Sequence, residues 1–276
     1  MNLRKENIVR RLTFPLKIRN KEIHKKEYIY LYKKNRLISE ISTLPGLHEN
    51  ISIQELEKQY SNNTSTRPEI KFSKSMATFF RNHPIPKNIT TAFLCTPAGV
   101  DLQKEGIFKI KVGRDDLEKE NKTLIKLTQN PRNSLRIDGN KSCTAEMMAF
   151  ILKGINLNQI DYIEDSFISI EEELKFHNLH PQVKLAMDEE IVRVYRSKAW
   201  NSIPDHINHV VLKLSLIGGI DEFNEIAINL QRKGCTLNLS STFESEIGLK
   251  FLSEISRRAK YKNITMPGLD TLKYLK

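Results

Sequence analysis

Five short apolar runs of the sequence each end in a residue that can carry a charge. These residues are Lys111, Asp138, Glu164, Asp188 and Lys213, and they follow one another at gaps of 27, 26, 24 and 25 residues. One strand, one helix and two loops of a (β/α)8 barrel take up a similar length of chain. Because residues at the carboxyl ends of barrel strands line the active-site mouth, the spacing predicts three carboxylates flanked by two lysines at one rim.

The three carboxylates predict a metal site. Asp138, Glu164 and Asp188 would follow three successive strands, so their oxygens should converge. Oxygen-only ligands suit a hard divalent cation, so Mg²⁺ is expected and Mn²⁺ could replace it.

The two lysines predict proton transfer. Lys111 and Lys213 would flank the metal, and Lys109 precedes Lys111 by two residues and so shares its face of the strand. Repulsion between ammonium groups and a metal ion lowers a lysine pKa, which makes the amine a usable base. This set suits removal of a proton next to a carboxylate, with the metal stabilising the resulting enediolate.

The chain from residue 91 onward has the alternating pattern that would position these residues. Apolar strand-like runs alternate with amphipathic helical stretches, which predicts a parallel sheet. The predicted strands are 91–95, 107–112, 134–138, 160–164, 183–188, 209–213, 236–240 and 263–266. The predicted helices are 114–129, 144–153, 169–176, 189–201, 220–232 and 244–260. The fold class is therefore α/β, with a (β/α)8-type barrel over 91–266.

Residues 1–90 lack this rhythm and predict a separate α+β domain. Strands are expected at 12–18 and 27–32 and helices at 52–60 and 69–82, the last stopped by the two prolines that follow it. The tail at 267–276 could pack back on this domain.

The charge distribution and composition of the chain limit the kinds of binding partner that the sequence predicts. The net charge is +11, but residues 1–36 carry +9 of it, interleaved with strand-like pieces, so a solvated sheet face is expected. No nucleic-acid module accompanies it, although a basic rim could attract an anionic substrate. Three cysteines without CxxC spacing predict neither a disulfide framework nor a zinc site. With no apolar leader or spanning run, we expect a cytoplasmic protein that does not enter the membrane.

The motifs around the rim residues resemble those of the enolase superfamily, and within it the o-succinylbenzoate synthase branch. They are Lys109-Ile110-Lys111, Arg136-Ile137-Asp138-Gly139-Asn140, Ile163-Glu164-Asp165, Ala186-Met187-Asp188-Glu189, Leu212-Lys213, Gly218-Gly219 and Ser240-Ser241-Thr242-Phe243-Glu244-Ser245. Glu40-Ile41-Ser42-Thr43-Leu44-Pro45-Gly46-Leu47 resembles the segment of the N-terminal capping domain that closes over the pocket. The resemblance covers about residues 38–260.

The resemblance implies a lyase of menaquinone biosynthesis that dehydrates 2-succinyl-6-hydroxy-2,4-cyclohexadiene-1-carboxylate, a small anionic dicarboxylate, to 2-succinylbenzoate. It implies that Lys111 removes the proton and then helps hydroxide leave as water, while Lys213 stabilises the enediolate as a cation. The implied ligands of Mg²⁺ are Asp138, Glu164 and Asp188. The implied supporting residues are Lys109, Arg136, Asn140, Gly218 and Ser240, the last near the succinyl chain.

Two departures and two alternatives accompany this interpretation. Ser166 and Leu214 stand where the superfamily commonly has prolines, so altered loop geometry is expected. Glu189 and Glu244 are interpreted as helix-opening residues, and His48 as a surface or packing residue.

A racemase of N-acylamino acids or a dipeptide epimerase is an alternative function, because two flanking lysines could act as bases on the two faces of the alpha carbon. A non-catalytic barrel that binds an anion or a nucleic acid is a remote alternative.

Overall fold

The computed structural model describes residues 3–18, 21–62, 65–95, 99, 101–114 and 116–276. The chain divides into two compact units. The first unit comprises Met1–Thr91, Lys213–Asn229 and Leu239–Lys276, and the second comprises Ala92–Leu212 and Leu230–Asn238.

The first unit contains an antiparallel three-stranded sheet in the order β1-β2-β3. Its strands are β1 (Arg4–Ile18), β2 (Lys21–Lys33) and β3 (Arg36–Ser42). Most of the basic residues of this segment occupy exposed strand positions, as the sequence predicted. Lys26 differs from them, because it is only 1% exposed.

Two helices follow the sheet, α1 (Ile53–Asn62) and α2 (Pro68–Asn82). Pro68 stands in the first turn of α2, where the missing N–H costs no hydrogen bond. Apolar side chains of the sheet and both helices form one buried cluster: Ile29, Leu31, Ile41, Leu56 and Ile70. Both predicted helices are therefore present, and they pack on the sheet.

The second unit is built on a curled parallel sheet in the order β10-β9-β8-β7-β6-β5-β4. The strands are β4 (Phe93–Cys95), β5 (Ile107–Lys111), β6 (Ser134–Asp138), β7 (Ile160–Glu164), β8 (Leu185–Met187), β9 (Ile207–Leu212) and β10 (Thr236–Leu239). Sequential strands are neighbours, so the carboxyl ends of all seven lie along one edge of the sheet.

Helices follow these strands, and three of them begin at a side-chain cap. They are α3 (Leu117–Thr128), α4 (Ala145–Ile151), α5 (Ile170–Leu179), α6 (Glu190–Ser197), α7 (Ile220–Arg232) and α8 (Glu246–Arg258). Asp116, Thr144 and Ser169 cap α3, α4 and α5 by accepting hydrogen bonds from backbone N–H groups of the first turn. Among the described residues, no helix is long and apolar enough to cross a membrane.

Three details of secondary structure differ from the prediction. The predicted last strand at 263–266 does not form; the nearby pairing is a single bridge between Ser240 and Gly268, because Pro267 removes a donor and ends any run. In the N-terminal segment β1 starts eight residues earlier than predicted, and β3 was not predicted at all. The division into domains 1–90 and 91–266 stays a prediction.

Candidate active site

Strand register in the second unit places the predicted chemical residues side by side. Lys111 pairs with Asp138 across β5 and β6, and Asp138 pairs with Glu164 across β6 and β7. Glu164 pairs with Ala186, and Asp188 lies two residues further on the same face of the chain. The three carboxylates are buried, with exposures of 7%, 1% and 6% in chain order.

Lys109 supplies the positive charge next to these carboxylates. Its ammonium lies 3.4 Å from Asp138 Oδ2 and donates a hydrogen bond to Glu164 Oε1. Burial opposes protonation, but the Glu164 and Asp138 carboxylates outweigh it and hold the pKa of Lys109 well above its usual value. The pKa of Lys109 is therefore shifted upward, opposite to the lowered pKa that repulsion between lysines predicted.

Lys111 has the lowered pKa that a base requires. Burial is the main cause of the shift. Asp138 opposes it, and the charges of Lys109 and Arg114 add to it. The direction agrees with the sequence prediction, but desolvation contributes more than the like-charge repulsion that was expected.

Asn140 supports Asp138 from the loop after β6. Its side-chain amide donates to Asp138 Oδ1, and its backbone N–H donates to the same oxygen at 3.3 Å. Asn140 has φ of 46°, in the left-handed region that asparagine tolerates better than most residues. The residue type thus suits both the backbone conformation and the contact.

Ser166 holds the loops after β6 and β7 together. Its hydroxyl accepts from Gly139 N at 2.8 Å and donates to Glu164 O at 2.9 Å. A Cβ added to Gly139 would lie 2.8 Å from the backbone Cα of Ser166, so only glycine permits this approach. Ser166 stands where the sequence resemblance leads one to expect proline, and its hydroxyl bonds these two loops together.

A polar layer lies beside the carboxylates, and its residues Arg136 and Tyr162 precede Asp138 and Glu164 by two positions on the same strand faces. Arg136 is fully buried, donates from Nε to Asp161 Oδ2 at 2.8 Å and lies over the Tyr162 ring at 5.1 Å. Asn238 Oδ1 accepts from Tyr162 at 3.0 Å and from His209 Nε2 at 2.7 Å. This layer anchors the strands that carry Asp138 and Glu164.

Sequence reasoning missed Tyr162, His209 and Asn238. The His209 ring stacks on Tyr162 with centroids 4.2 Å apart, and burial lowers the pKa of His209 to about 4. The two-residue repeat of a strand could have identified Tyr162, because it precedes Glu164 by two residues and the two side chains therefore share a face.

The oxygen atoms of the three carboxylates are the type of ligand that a hard cation prefers, but they are not arranged around a common point. Among the described residues, no three His, Cys, Asp or Glu side chains form a group that could hold a metal as they stand. The Lys109 ammonium, which contacts two of the three carboxylates, shows that this edge stabilises positive charge. The donor set fits Mg²⁺, and its use as a metal site stays a prediction.

The other three predicted site residues belong to the first unit. Lys213 directly precedes the 3-10 turn Leu214–Leu216. Gly218 lies close to the Glu222 side chain, since an added Cβ would come within 2.5 Å of its carboxyl carbon. Ser240 is buried and forms the bridge to Gly268. The structure thus brings seven predicted residues together in the second unit: Lys109, Lys111, Arg136, Asp138, Asn140, Glu164 and Asp188.

His48, Glu189 and Glu244 were kept out of the predicted site. His48 is buried and accepts a hydrogen bond from Leu44 N at 2.9 Å, which confirms a packing residue. Glu189 precedes α6 without a side-chain capping bond. Glu244 was expected to open a helix, but it lies two residues before α8, and its carboxylate is bonded to Ser241 and Thr242.

Known proteins resemble this chain in sequence and in structure. No protein-family model matches it. It is 29% identical over 180 residues to an o-succinylbenzoate synthase of Pasteurella multocida, a match that covers 62% of this chain and 51% of that enzyme. It is 27% identical over 224 residues to the o-succinylbenzoate synthase of Aliivibrio salmonicida, which covers 76% of this chain and 67% of that enzyme.

The solved structures decide the fold. The structure of o-succinylbenzoate synthase from Thermosynechococcus elongatus, complexed with magnesium in the active site, has a TM-score of 0.69 at 19% identity and covers 100% of this chain and 94% of that chain. This chain has the enolase-superfamily fold. The L-Ala-D/L-Glu epimerase of Bacillus subtilis shares that fold, with a TM-score of 0.68 at 15% identity over 100% of this chain and 91% of that chain.

The enolase-superfamily fold confirms the predicted class, a (β/α)-type barrel with an N-terminal α+β domain. The match to the Pasteurella multocida enzyme spans about half of that enzyme's length. Synthases and epimerases both adopt the enolase-superfamily fold, so the fold by itself does not distinguish dehydration from epimerisation.

Proposed function

We propose that the chain is an o-succinylbenzoate synthase that dehydrates 2-succinyl-6-hydroxy-2,4-cyclohexadiene-1-carboxylate to 2-succinylbenzoate, a step of menaquinone biosynthesis. The curated relatives with that name support the reaction. The observation that carries the proposal is the register of β5, β6 and β7, in which Lys111 pairs with Asp138 and Asp138 pairs with Glu164. That register puts an amine next to carboxylates that could hold Mg²⁺, the cation that would stabilise an anionic reaction centre.

In the proposed reaction Lys111 acts first as base and then as acid. Its amine removes the proton from the ring carbon that carries the carboxylate, and the C–H electron pair moves into the carboxylate to give an enediolate. As this pair returns to the ring, the C–O bond breaks and the oxygen takes the proton from Lys111 and leaves as water. The ring becomes aromatic, so formation of the enediolate is the barrier to be lowered.

Charges around the substrate stabilise the enediolate. Mg²⁺ held by Asp138, Glu164 and Asp188 would neutralise the charge that develops on the substrate carboxylate. Lys213 would remain protonated and act as a cation, and Ser240 would lie near the succinyl chain. Lys109 and Asn140 keep the carboxylates oriented through their hydrogen bonds to Glu164 and Asp138. A cytoplasmic location is part of this proposal.

Epimerisation of dipeptides is the second candidate, favoured by the structural similarity to several dipeptide epimerases. In that reaction Lys111 and Lys213 would each serve as a base on one face of the alpha carbon. The two candidates therefore differ in the role of Lys213.

Assays of the purified protein with Mg²⁺ on both substrates test the proposal. Formation of 2-succinylbenzoate, with epimerisation of L-Ala-L-Glu absent or much slower, would support the synthase. Epimerisation without dehydration would replace it by the second candidate. Lys213→Arg refines the result, because a retained cation should keep more dehydration than epimerisation, which requires a base at this position.

A further inference from the structure

A buried set of charged residues lies in the first unit, and none of its members was among the predicted site residues. It comprises Lys26 of β2, Glu40 of β3 and Glu244 of the segment between β10 and α8, with exposures of 1%, 0% and 0%. Buried charges are costly unless they are paired and hydrogen-bonded. Lys26 and Glu40 bond to the segment 240–245, here called the serine turn, and Glu244 belongs to it.

Strand β2 holds two successive carbonyls of the serine turn. Lys26 Nζ donates to Thr242 O at 2.7 Å, and the Tyr28 hydroxyl donates to Phe243 O at 2.8 Å. Phe243 has φ of 61°, a left-handed conformation that costs an aromatic residue energy and persists only where neighbours enforce it. The two donors of β2 are such neighbours.

Glu244 closes the serine turn from inside. Its carboxylate accepts from Ser241 Oγ at 2.7 Å, Thr242 N at 2.7 Å and Thr242 Oγ1 at 2.6 Å. Thr242 Oγ1 is also 2.7 Å from Ser215 Oγ, and Ser215 lies in the 3-10 turn that directly follows Lys213. The serine turn and the Lys213 segment are thus hydrogen-bonded to each other.

Glu40 fixes the end of the serine turn at the start of α8. Ser245 N lies 3.1 and 3.2 Å from the two Glu40 carboxylate oxygens, and the Ser245 hydroxyl donates to Glu40 Oε2. A Cβ added to Gly248 would lie 2.8 Å from Glu40 Oε1, so glycine lets α8 approach the carboxylate. A carboxylate here also meets the positive end of the helix dipole.

We propose that Lys26 and Glu40 are positioning residues that set the conformation of the serine turn and, through Thr242 and Ser215, of the segment at Lys213. The catalytic part rests on the proposed function, in which Ser240 and Lys213 contact the substrate. The N-terminal sheet thereby orders two parts of the proposed site.

The pKa values of Glu40 and Lys26 are both shifted toward neutral pH. Burial raises the pKa of Glu40 to about 7, with Ser245 and Lys26 opposing the shift and Glu244 adding to it. Burial lowers the pKa of Lys26 to about 8, with Glu244 and Glu40 opposing. Arg10 and Tyr30 also influence the pKa of Tyr28, and Glu69 influences the pKa of His48, two groups that Glu244 influences as well.

Hydrogen exchange of the amides in 240–246 tests the positioning directly, in Glu40→Gln and Lys26→Met compared with the parent protein. Glu22→Gln and Lys25→Met are matched controls, because both change exposed residues of β2. We expect exchange at Thr242 and Ser245 to rise about tenfold in the two test variants, as for one lost hydrogen bond, and to stay within about twofold in the controls. Unchanged exchange in the folded test variants would overturn the proposal.

Kinetics test the catalytic part. We expect Glu40→Gln to raise KM for the dehydration substrate by about tenfold with a smaller change in kcat, because a displaced pocket wall weakens binding in both ground and transition states. A loss of folded protein alone would lower the apparent kcat and leave KM unchanged, and that result would overturn the catalytic part. Should Lys26→Met fail to fold, Lys26→Arg keeps the charge, and recovery of parent exchange there supports the proposal. A parent protein with no dehydration would overturn the proposed function, while the exchange result still decides the positioning.

Discussion

The ammonium of Lys109 lies 3.4 Å from Oδ2 of Asp138 in the second unit. The same ammonium also contacts Glu164, so one lysine balances two buried carboxylates. A metal ion held by these carboxylates would therefore share their charge with a resident cation, and this competition can be measured.

Replacing Lys109 by Met should destabilise the fold and strengthen the response to Mg²⁺. The variant leaves the charges of Asp138 and Glu164 without their lysine, which costs about 3 kcal/mol. Because Mg²⁺ can supply the missing charge, we expect added MgCl2 to raise Tm more in Lys109→Met than in the parent. Thermal unfolding with and without MgCl2 measures both effects, and Lys119→Met, at an exposed position, is the control. A Tm that does not change with MgCl2 concentration in either protein would contradict a metal site at these residues.

His209 should make the protein sensitive to acid. Burial lowers its pKa from 6.5 to about 4, so between these pH values the unfolded chain binds more protons than the folded protein. Stability is therefore lost as pH falls from 6.5 toward 4, by about 3 kcal/mol from this residue. His209→Gln should flatten this part of the curve of unfolding free energy against pH. His24→Gln, at an exposed position, should retain the slope of the parent, and the same slope in His209→Gln would refute this origin.

Glu40 should act in the opposite direction at higher pH. Its pKa is raised from 4.5 to about 7, so the folded protein binds the extra proton. Its contribution to stability is complete below pH 4.5 and is lost as pH rises through 7, by about 3 kcal/mol. The difference in unfolding free energy between Glu40→Gln and the parent should therefore shift in favour of the variant across this window. Urea titrations at pH 4.5 and 7.5 measure it, and a constant difference would be inconsistent with the raised pKa.

Ser166 should contribute stability through the loops that carry Asp138 and Glu164. Ser166→Ala removes the acceptor of Gly139 N and leaves that buried N–H without it, which costs about 1 to 2 kcal/mol. Ser197→Ala, at an exposed residue of α6, should cost less than about 0.5 kcal/mol. Chemical unfolding of both variants checks the difference, and equal costs would show that the Ser166 contact is dispensable.

The strands of the second unit were largely predictable from the sequence, because short apolar runs with clear ends define them. The predicted strands 134–138 and 160–164 match β6 and β7 residue by residue. The strand predicted at 263–266 does not form. Its apolar residues directly precede Pro267, and the local sequence pattern does not show whether a neighbouring strand edge is available for pairing. The start of β1 and all of β3 were missed because charged residues interrupt their apolar pattern.

Some residues of the candidate site were likewise predictable from the sequence, and others were not. Period-two parity and repeat spacing predict that Lys111, Asp138 and Glu164 share an edge, and the register agrees. The bond between Glu40 and Ser245 joins residues 205 positions apart, and no local pattern in a single sequence specifies such a pair. The burial of Lys26 was not predicted, because the basic residues of this segment were all assigned to a solvated sheet face.

The rate of 2-succinylbenzoate formation by Lys111→Ala, compared with the parent and with Lys119→Ala under saturating Mg²⁺, tests the central claim most directly. Loss of a positioned general base lowers the rate by about 10²- to 10⁴-fold, so we expect at least a hundredfold loss in Lys111→Ala and parent activity in Lys119→Ala. A Lys111→Ala protein that forms 2-succinylbenzoate at the parent rate would contradict the assignment of Lys111 as the base.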